Sequence, residues 1–306
     1  MTDIRMINEK YIYSITQRAV DRAFLFKPDV LTANIVGACA ARAIKKFPVK
    51  LYWLDYNINH EHMGIGALSE DPKDLSAIVR FRQLFHRLLA SEVNVLHKRE
   101  GTVFGEKAKF TACLDNESTE HQFFYGITNP VKDNLIDKIA HWKGFSSYPY
   151  LGEGKDPLFT YLDQKKFKTG KNKNIKSACM KNIRLHFTPI PSIAMLPSGK
   201  RESYIRRGVR LKEQEFRTNR ILENKKVISA AKLAKIDPRA RPETNKPKTK
   251  KPECFSVNPE RKIEYIDTLK LFIAAYKEAS KKYLSGDYYT EFPKGSLKPP
   301  LIVVTG

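Results

Sequence analysis

The sequence predicts an α+β fold, and three observations carry that prediction. Alternating apolar and polar residues mark strands at Tyr11–Thr16 and Val49–Leu54. Apolar residues at helical spacing follow Pro28 and Pro72, and a short apolar run at Phe110–Leu114 suits a buried strand.

Tyr11-Ile12-Tyr13-Ser14-Ile15-Thr16 is rich in aromatic and branched residues, so it reads as the first strand. It runs into Gln17-Arg18-Ala19-Val20-Asp21-Arg22, a loop with two arginines. Leu31, Ile35, Cys39, Ala43 and Phe47 then recur at i, i+4, the stripe of an amphipathic helix that Pro48 stops. A second strand from about Val49 to Ile58 and a third from about His60 to Leu68 lie so close in sequence that a hairpin is the simplest connection. A second helix starts near Asp71-Pro72, with Leu75, Ile78, Phe81, Phe85 and Leu88 on one face. Its other side carries Arg80, Gln83 and Arg87, which reads either as a solvated face or as a phosphate-contacting stripe. Lys98-Arg99-Glu100-Gly101 breaks the pattern before the Phe110–Leu114 strand. Asp115 or Asn116 can cap a third helix carrying Phe123, Phe124, Tyr125 and Ile127. Strand, helix, strand, strand, helix, strand is the order of a split β-α-β, or ferredoxin-like, unit: an antiparallel sheet with helices on one face.

Beyond Tyr161 the chain turns basic and proline-punctuated. Between Lys165 and Pro252 stand 26 Lys and Arg against 6 Asp and Glu, a net of +20 in a chain whose total is +22. Charge so concentrated suits an extension that follows a polyanion, although a solvated linker has the same composition. Ser203–Lys235 holds scattered apolar points for one or two helices, and Asp237–Pro252 reads as an extended linker. A clear helix returns with Asn258 as N-cap, Pro259 in its first turn and Gly286 as its stop. Ile266, Leu269, Ile273 and Tyr276 line a face that should dock on something, and the apolar Leu301-Ile302-Val303-Val304 ends the tail. The expected organisation is a folded unit over 1–160, a basic, partly helical extension over 161–252, and a helix with its tail over 253–306.

Cys39, Cys113, Cys179 and Cys254 are widely spaced, which suggests neither a zinc module nor a disulfide framework. The sequence shows no apolar run of transmembrane length and no signal-peptide core at Met1–Arg5. These features point to a soluble, cytoplasmic, nucleoid-associated protein with reduced thiols and no membrane partner.

Chemistry concentrates in two places. In Asn59-His60-Glu61-His62-Met63-Gly64-Ile65-Gly66 the strand period puts His60 and His62 on one face, where two imidazoles can hold a divalent metal. Gly64 and Gly66 continue that face without side chains, so a strand, a helix or a substrate backbone could approach closely. By itself the pair also reads as two half-exposed surface histidines, since two ligands do not make a metal site. In Tyr125-Gly126-Ile127-Thr128-Asn129-Pro130-Val131 a helix would bring Tyr125 and Asn129 to one side, a turn apart. An asparagine oxygen is a fair ligand for Mg²⁺ or Mn²⁺, while a packed tyrosine and a pre-proline helix end are the plainer alternatives.

Taken together, His60-Glu61-His62, the downstream Tyr125-Gly126-Ile127-Thr128-Asn129-Pro130-Val131-Lys132, then Trp142 and Ser146-Ser147, resemble the REP-associated tyrosine transposases. These are single-tyrosine transposases of the HUH endonuclease superfamily. Thr16-Gln17-Arg18 and Phe24-Leu25-Phe26 are similar to that group's N-terminal pattern, and the resemblance covers about residues 8 to 152. It implies a single-stranded DNA endonuclease and strand transferase whose catalytic domain is residues 1–160. Tyr125 would be the nucleophile, His60, His62 and Asn129 would hold one Mg²⁺ or Mn²⁺, and His121 is a possible helper. The partner would be single-stranded or hairpin DNA, and the protein a monomer or homodimer. Arg18, Arg22, Arg80, Arg87, Lys98, Arg99 and Lys132 are the candidates for phosphate contact. The chain departs from the family at Glu61, where a hydrophobic residue is usual; a buried carboxylate there must reach an edge, pair with a base or distort the strand. The alternative is a domesticated, catalytically inactive nucleic-acid-binding protein of the same fold.

Overall fold

A computed structural model of the chain describes residues 4–105, 107–152, 154, 156–170, 175–242 and 252–299. The fold is α+β, organised on a five-stranded mixed sheet. Strand β1 (Ile12–Arg18) leads through α1 (Val30–Lys46) to β2 (Lys50–Tyr56) and β3 (His60–Gly66). Helix α2 (Pro72–Leu96) then precedes β4 (Lys109–Cys113), and α3 (Asn116–Ile127) follows, capped by the Asp115 carboxylate on Ser118 N–H. The first four strands lie antiparallel in the order β2-β3-β1-β4. A fifth, β7 (Cys254–Phe255), joins the free edge of β4 in parallel, which makes the sheet mixed rather than antiparallel throughout.

The helices are not confined to one face, a second departure from expectation. Helices α1 and α2 pack against each other, and α2 lies over the side that carries Tyr56 and Glu61, where Phe85 and His86 meet them. Helix α3 covers part of the other side, with Phe123 edge-on to Trp53 at 5.9 Å. The reason is in the strand alternation. On β1 and β3, Tyr13, Ile15, Met63 and Ile65 give the α2 face an apolar lining, whereas Ser14, Thr16, Arg18, His60 and His62 give the other face a polar one. Helix α3 closes over only part of that polar face, and the remainder is a cleft.

The segment after α3 bends at Thr128 into the short α4 (Asn129–Lys132), with Pro130 in its first turn. Residues beyond 157 add a two-stranded sheet, β5 (Leu158–Leu162) with β6 (Met180–Arg184), that sits on α1 through Phe159 at Gly37. Short helices α5 (Gln164–Thr169), α6 (Lys176–Cys179) and α7 (Pro191–Ala194) lead to the long α8 (Ser198–Leu222), and α9 (Ala230–Ala234) follows. Of the scattered apolar points in α8, Ile205, Val209 and Phe216 are buried on α3 and α4, while Leu211, Ile221 and Leu222 are exposed. Gly208 lets Phe124 approach: a Cβ there would stand 2.2 Å from the ring. Part of the basic segment's charge is thus engaged inside the fold, since Arg217 and Arg220 both bond Asp137 and Arg220 also bonds Asn134. Of the expected linker at 237–252, residues 243–251 lie outside the described residues, as does the apolar tail at 301–304.

The C-terminal α10 (Pro259–Leu284) is capped by Asn258, whose side chain accepts from Glu260 N–H and Arg261 N–H. It docks through Tyr265, which meets Tyr11 edge-on at 5.5 Å, and through Ala279 and Tyr283, whereas Ile266 stays exposed and Leu269 and Tyr276 are only partly buried. All four cysteines are buried and form no disulfide. Among the described residues no helix is long and apolar enough to cross a membrane.

Candidate functional site

The floor of the cleft is the polar face of the sheet. Ser14, Thr16 and Arg18 of β1, His60 and His62 of β3, and Lys109 and Thr111 of β4 project into a cavity of about 530 Å³. Its walls are His121, Gln122 and Tyr125 from α3, Asn129 and Lys132 from α4, and Pro242, Pro252 and Phe255 from the C-terminal part of the chain.

Trp53 sets the height of α3 above this floor. Its indole is fully buried between Gly64 of β3 and Gly126 of α3. A Cβ at Gly64 would lie 2.1 Å from the indole, and one at Gly126 would lie 3.0 Å from its Nε1 and 3.3 Å from the Cβ of His62. Of the two glycines that continue the histidine face, Gly64 is covered by the Trp53 indole and Gly66 by the Tyr52 ring, and it is a helix, α3, that approaches there rather than a substrate backbone. Gly126 follows Tyr125 directly, so this close approach delivers the tyrosine to the histidine pair.

The rings of His60 and His62 lie 5.0 Å apart, and the Tyr125 ring stands edge-on to His62 at 5.5 Å. Tyr125 is half-buried, with its hydroxyl accepting from Lys132 Nζ at 2.5 Å. His121 stacks parallel to Tyr125 at 6.4 Å, and burial followed by the nearby Lys212 charge holds its pKa below the usual histidine value. Across the cleft, Asn129 is buried with its Oδ1 2.9 Å from His60 Nε2. The bend at Thr128, rather than one continuous helix, brings this amide to the histidines.

Burial lowers the His60 pKa to about 4 against a partial opposing pull from Asp133, while Arg18 and Lys132 push it further down. The ring is neutral at pH 7, the state in which imidazole is a ligand. His60, His62 and Asn129 could together hold a divalent cation through two imidazole nitrogens and one amide oxygen, a set suited to Mn²⁺ and tolerable to Mg²⁺. These donors carry no charge of their own, and among the described residues no group of three His, Cys, Asp or Glu side chains has the geometry of a metal site. A phosphate in the cleft would be the complementary anionic ligand.

Glu61 points away from the cleft and is completely buried, yet it is fully satisfied. Tyr56 OH donates to one carboxylate oxygen, and His86 Nε2 bonds the other at 2.7 Å. Burial alone would raise its pKa, but His86, Tyr56 and Arg82 outweigh burial and hold it below the usual range. The base it pairs with is a histidine on α2, and β3 keeps its register with both neighbours through this position.

Of the phosphate-contact candidates, Arg18, Arg22 and Lys132 line the cleft. Arg80 and Arg87 are exposed on α2, which packs on the opposite side of the sheet. Arg99 is occupied at the end of α2 by Asn94 Oδ1 and the Thr102 carbonyl, with Lys98 beside it. Ser146 and Ser147 both donate to the buried Asp55, and Trp142 Nε1 donates to the Tyr56 carbonyl, so those residues brace β2.

Sequence reasoning missed Asn57 and Asp133. Asn57 is 2% exposed and donates from Nδ2 to Asn129 Oδ1 at 2.8 Å and Asp133 Oδ2 at 2.7 Å. Its place in a polar turn just before His60 was the available signal. Phe255 carried none, because only the fold brings it to the cleft.

No family model matches the sequence, and no curated protein matches it. A structural likeness is found to a REP-associated tyrosine transposase bound to a REP hairpin, with a TM-score of 0.39 and 14% identity, covering 49% of this chain and 84% of that one.

Proposed function

We propose that the chain is a metal-dependent single-stranded DNA endonuclease and strand transferase, acting on hairpin-bearing DNA from a ferredoxin-like catalytic domain. The observation that carries the reading is the meeting, in one basic-rimmed cleft, of the Tyr125 hydroxyl, the His60/His62 pair and the Asn129 oxygen. The strand order β2-β3-β1-β4 supports the ferredoxin-like part.

In this mechanism Arg18 and Arg22 draw the DNA backbone into the cleft. His60, His62 and Asn129 would hold a divalent cation, which when bound would supply Lewis acidity at the scissile phosphate. Tyr125 Oη attacks phosphorus in line: the Oη–P bond forms, the P–O3′ bond breaks, the phenol gives up its proton and the departing 3′ oxygen gains one. The product is a 5′-phosphotyrosine and a free 3′-hydroxyl. Attack by a second 3′-hydroxyl reverses the step and joins a new strand. Lys132 holds the attacking oxygen and steadies the charge it develops.

The alternative, a binding protein that has lost cleavage, draws on Glu61 in the histidine strand and on the net +20 of residues 165–252. The pairing of Glu61 with Tyr56 and His86 removes the first of these supports. Incubation with Mn²⁺ and a single-stranded hairpin oligonucleotide should give a covalent adduct on a denaturing gel. An adduct that persists in Tyr125→Phe would remove that residue from the role, and none with any divalent ion would favour the binding protein.

A further inference from the structure

We propose that the cleft continues into a subsite for one unpaired nucleobase of the bound strand, an adenine, with Phe255 as its stacking platform and Gln122 as the reader of its edge. The inference rests on the single-stranded DNA reading above and gives that strand a base contact.

The cleft does not end at α3. Past His121 and Gln122 it opens into a second, mainly apolar cavity of about 600 Å³, and the two cavities have His121, Gln122, Pro252 and Phe255 in common. The outer rim is Val257 and Ile266, which leave 65% and 38% of their surface to solvent, with Lys262 beside them. Gln122 stands three residues before Tyr125 on α3, about 4.5 Å along the helix axis. The base next to a phosphate at Tyr125 is therefore the part of the strand that comes to this cavity.

Phe255 is built as a platform. Its backbone is fixed from two sides, because Leu114 N–H and Ser118 Oγ both donate to the Phe255 carbonyl, at 2.9 and 3.1 Å. Val257 N–H is held by the Asp115 carboxylate at 2.9 Å. Yet the half-buried Phe255 ring stands outside the hydrophobic core and meets no other ring among the described residues. An anchored, uncovered aromatic face is what an unstacked base needs, and every base offers a π-face to it.

Gln122 supplies the choice. Its amide offers both an acceptor and donors, and its present contacts are longer than well-formed hydrogen bonds: Ser14 Oγ lies 3.4 Å from Oε1, and His121 Nδ1 lies 3.3 Å from Nε2. An adenine would replace both, its N6 donating to Oε1 and its N7 accepting from Nε2. Guanine presents two acceptors on that edge, so it cannot make the pair. An apolar side chain of a partner protein would leave Gln122 unused, and the continuity of this cavity with the cleft favours a base carried by the same strand.

The test uses the full-length protein and fluorescein-labelled single-stranded decamers, read by anisotropy at fixed salt. Oligo(dA) should bind more tightly than oligo(dC) by roughly 5-fold or more. That preference should vanish in Gln122→Ala, and also when 7-deazaadenine, which lacks the N7 acceptor, replaces adenine. Phe255→Ala should weaken both decamers roughly 5- to 150-fold with the log–log salt slope unchanged, since stacking releases no counterions. If Phe255→Ala does not fold, Phe255→Leu keeps the apolar bulk without the π-face and should weaken binding in the same direction. Equal affinity for the two decamers in the wild type, 7-deazaadenine bound as adenine is, or a Phe255 variant that binds as the wild type does would overturn the subsite. The base preference without any covalent adduct in Mn²⁺ would keep the subsite and overturn the nuclease reading, and an adduct with base-blind binding would do the reverse.

Discussion

Lys132 donates to the Tyr125 hydroxyl at 2.5 Å and also lies over that ring, its Nζ 4.6 Å from the centroid. Seven residues span about two turns of a straight helix; here the helix is interrupted at Thr128, between α3 and α4, and the two side chains meet. Replacing Lys132 by Ala should slow adduct formation about 10–100-fold, from the loss of a charge-assisted bond of roughly 1.5–3 kcal/mol. Lys132→Arg should recover part of the rate. Single-turnover kinetics on a hairpin oligonucleotide measures both.

The glycine at 126 leaves little room for a side chain. Gly126→Ala pushes a methyl against Trp53 and His62 and should cost about 1–3 kcal/mol. It should also lift Tyr125 from the histidines, so adduct formation should fall by more than stability alone explains. Urea melts paired with the gel assay separate the two effects.

Glu61 should prove structural. Glu61→Ala leaves Tyr56 OH and His86 buried without their acceptor and should destabilise by about 3–5 kcal/mol. Glu61→Gln, which keeps an acceptor oxygen, should cost less. Denaturant midpoints of the two variants give the ranking.

Asp55 gives the fold a pH dependence of its own. Burial pushes its pKa up to about 7, in spite of three hydrogen bonds from Ser146 and Ser147, against an ordinary value near 3.8. The folded state thus binds a proton that the unfolded state has already released, and stability from this group is full below about pH 4 and lost as pH rises through 7. Asp55→Asn should flatten that decline. Thermal melts from pH 4 to 8 on both proteins check the slope.

The cleft arginines should carry the electrostatic share of DNA binding. Arg18→Ala and Arg22→Ala should each reduce the log–log salt slope by about one unit. Arg80→Ala and Arg87→Ala, on the far side of the sheet, should leave it unchanged. Fluorescence anisotropy across a salt series measures the four slopes.

Much of this arrangement was legible in local pattern. Alternation in Tyr11–Thr16 already separated an apolar face from a polar one, Asp115 and Asn258 announced their helices, and the strand period paired His60 with His62. What escaped was set by distance along the chain. The Trp53 wedge needs a strand, a second strand and a helix at once, and no local period encodes it. The placing of β7 beside β4 depends on a return of the chain from beyond residue 251. The stripe Arg80–Arg87 had the composition of a contact surface, but composition does not tell which side of a sheet a helix covers. The face predicted for α10 was displaced because tyrosines, amphipathic by nature, anchored the helix instead of its isoleucines.

Only two tryptophans occur in the chain, and one of them is the indole between Gly64 and Gly126. Its Nε1 is buried and finds no hydrogen-bond acceptor among the described residues. That environment makes the ring a built-in optical gauge of whether the helix of Tyr125 is seated: emission from Trp53 should be blue-shifted when α3 is down and should move to the red when the helix lifts. The same residue that levels the working surface can therefore report, without any label, on its assembly.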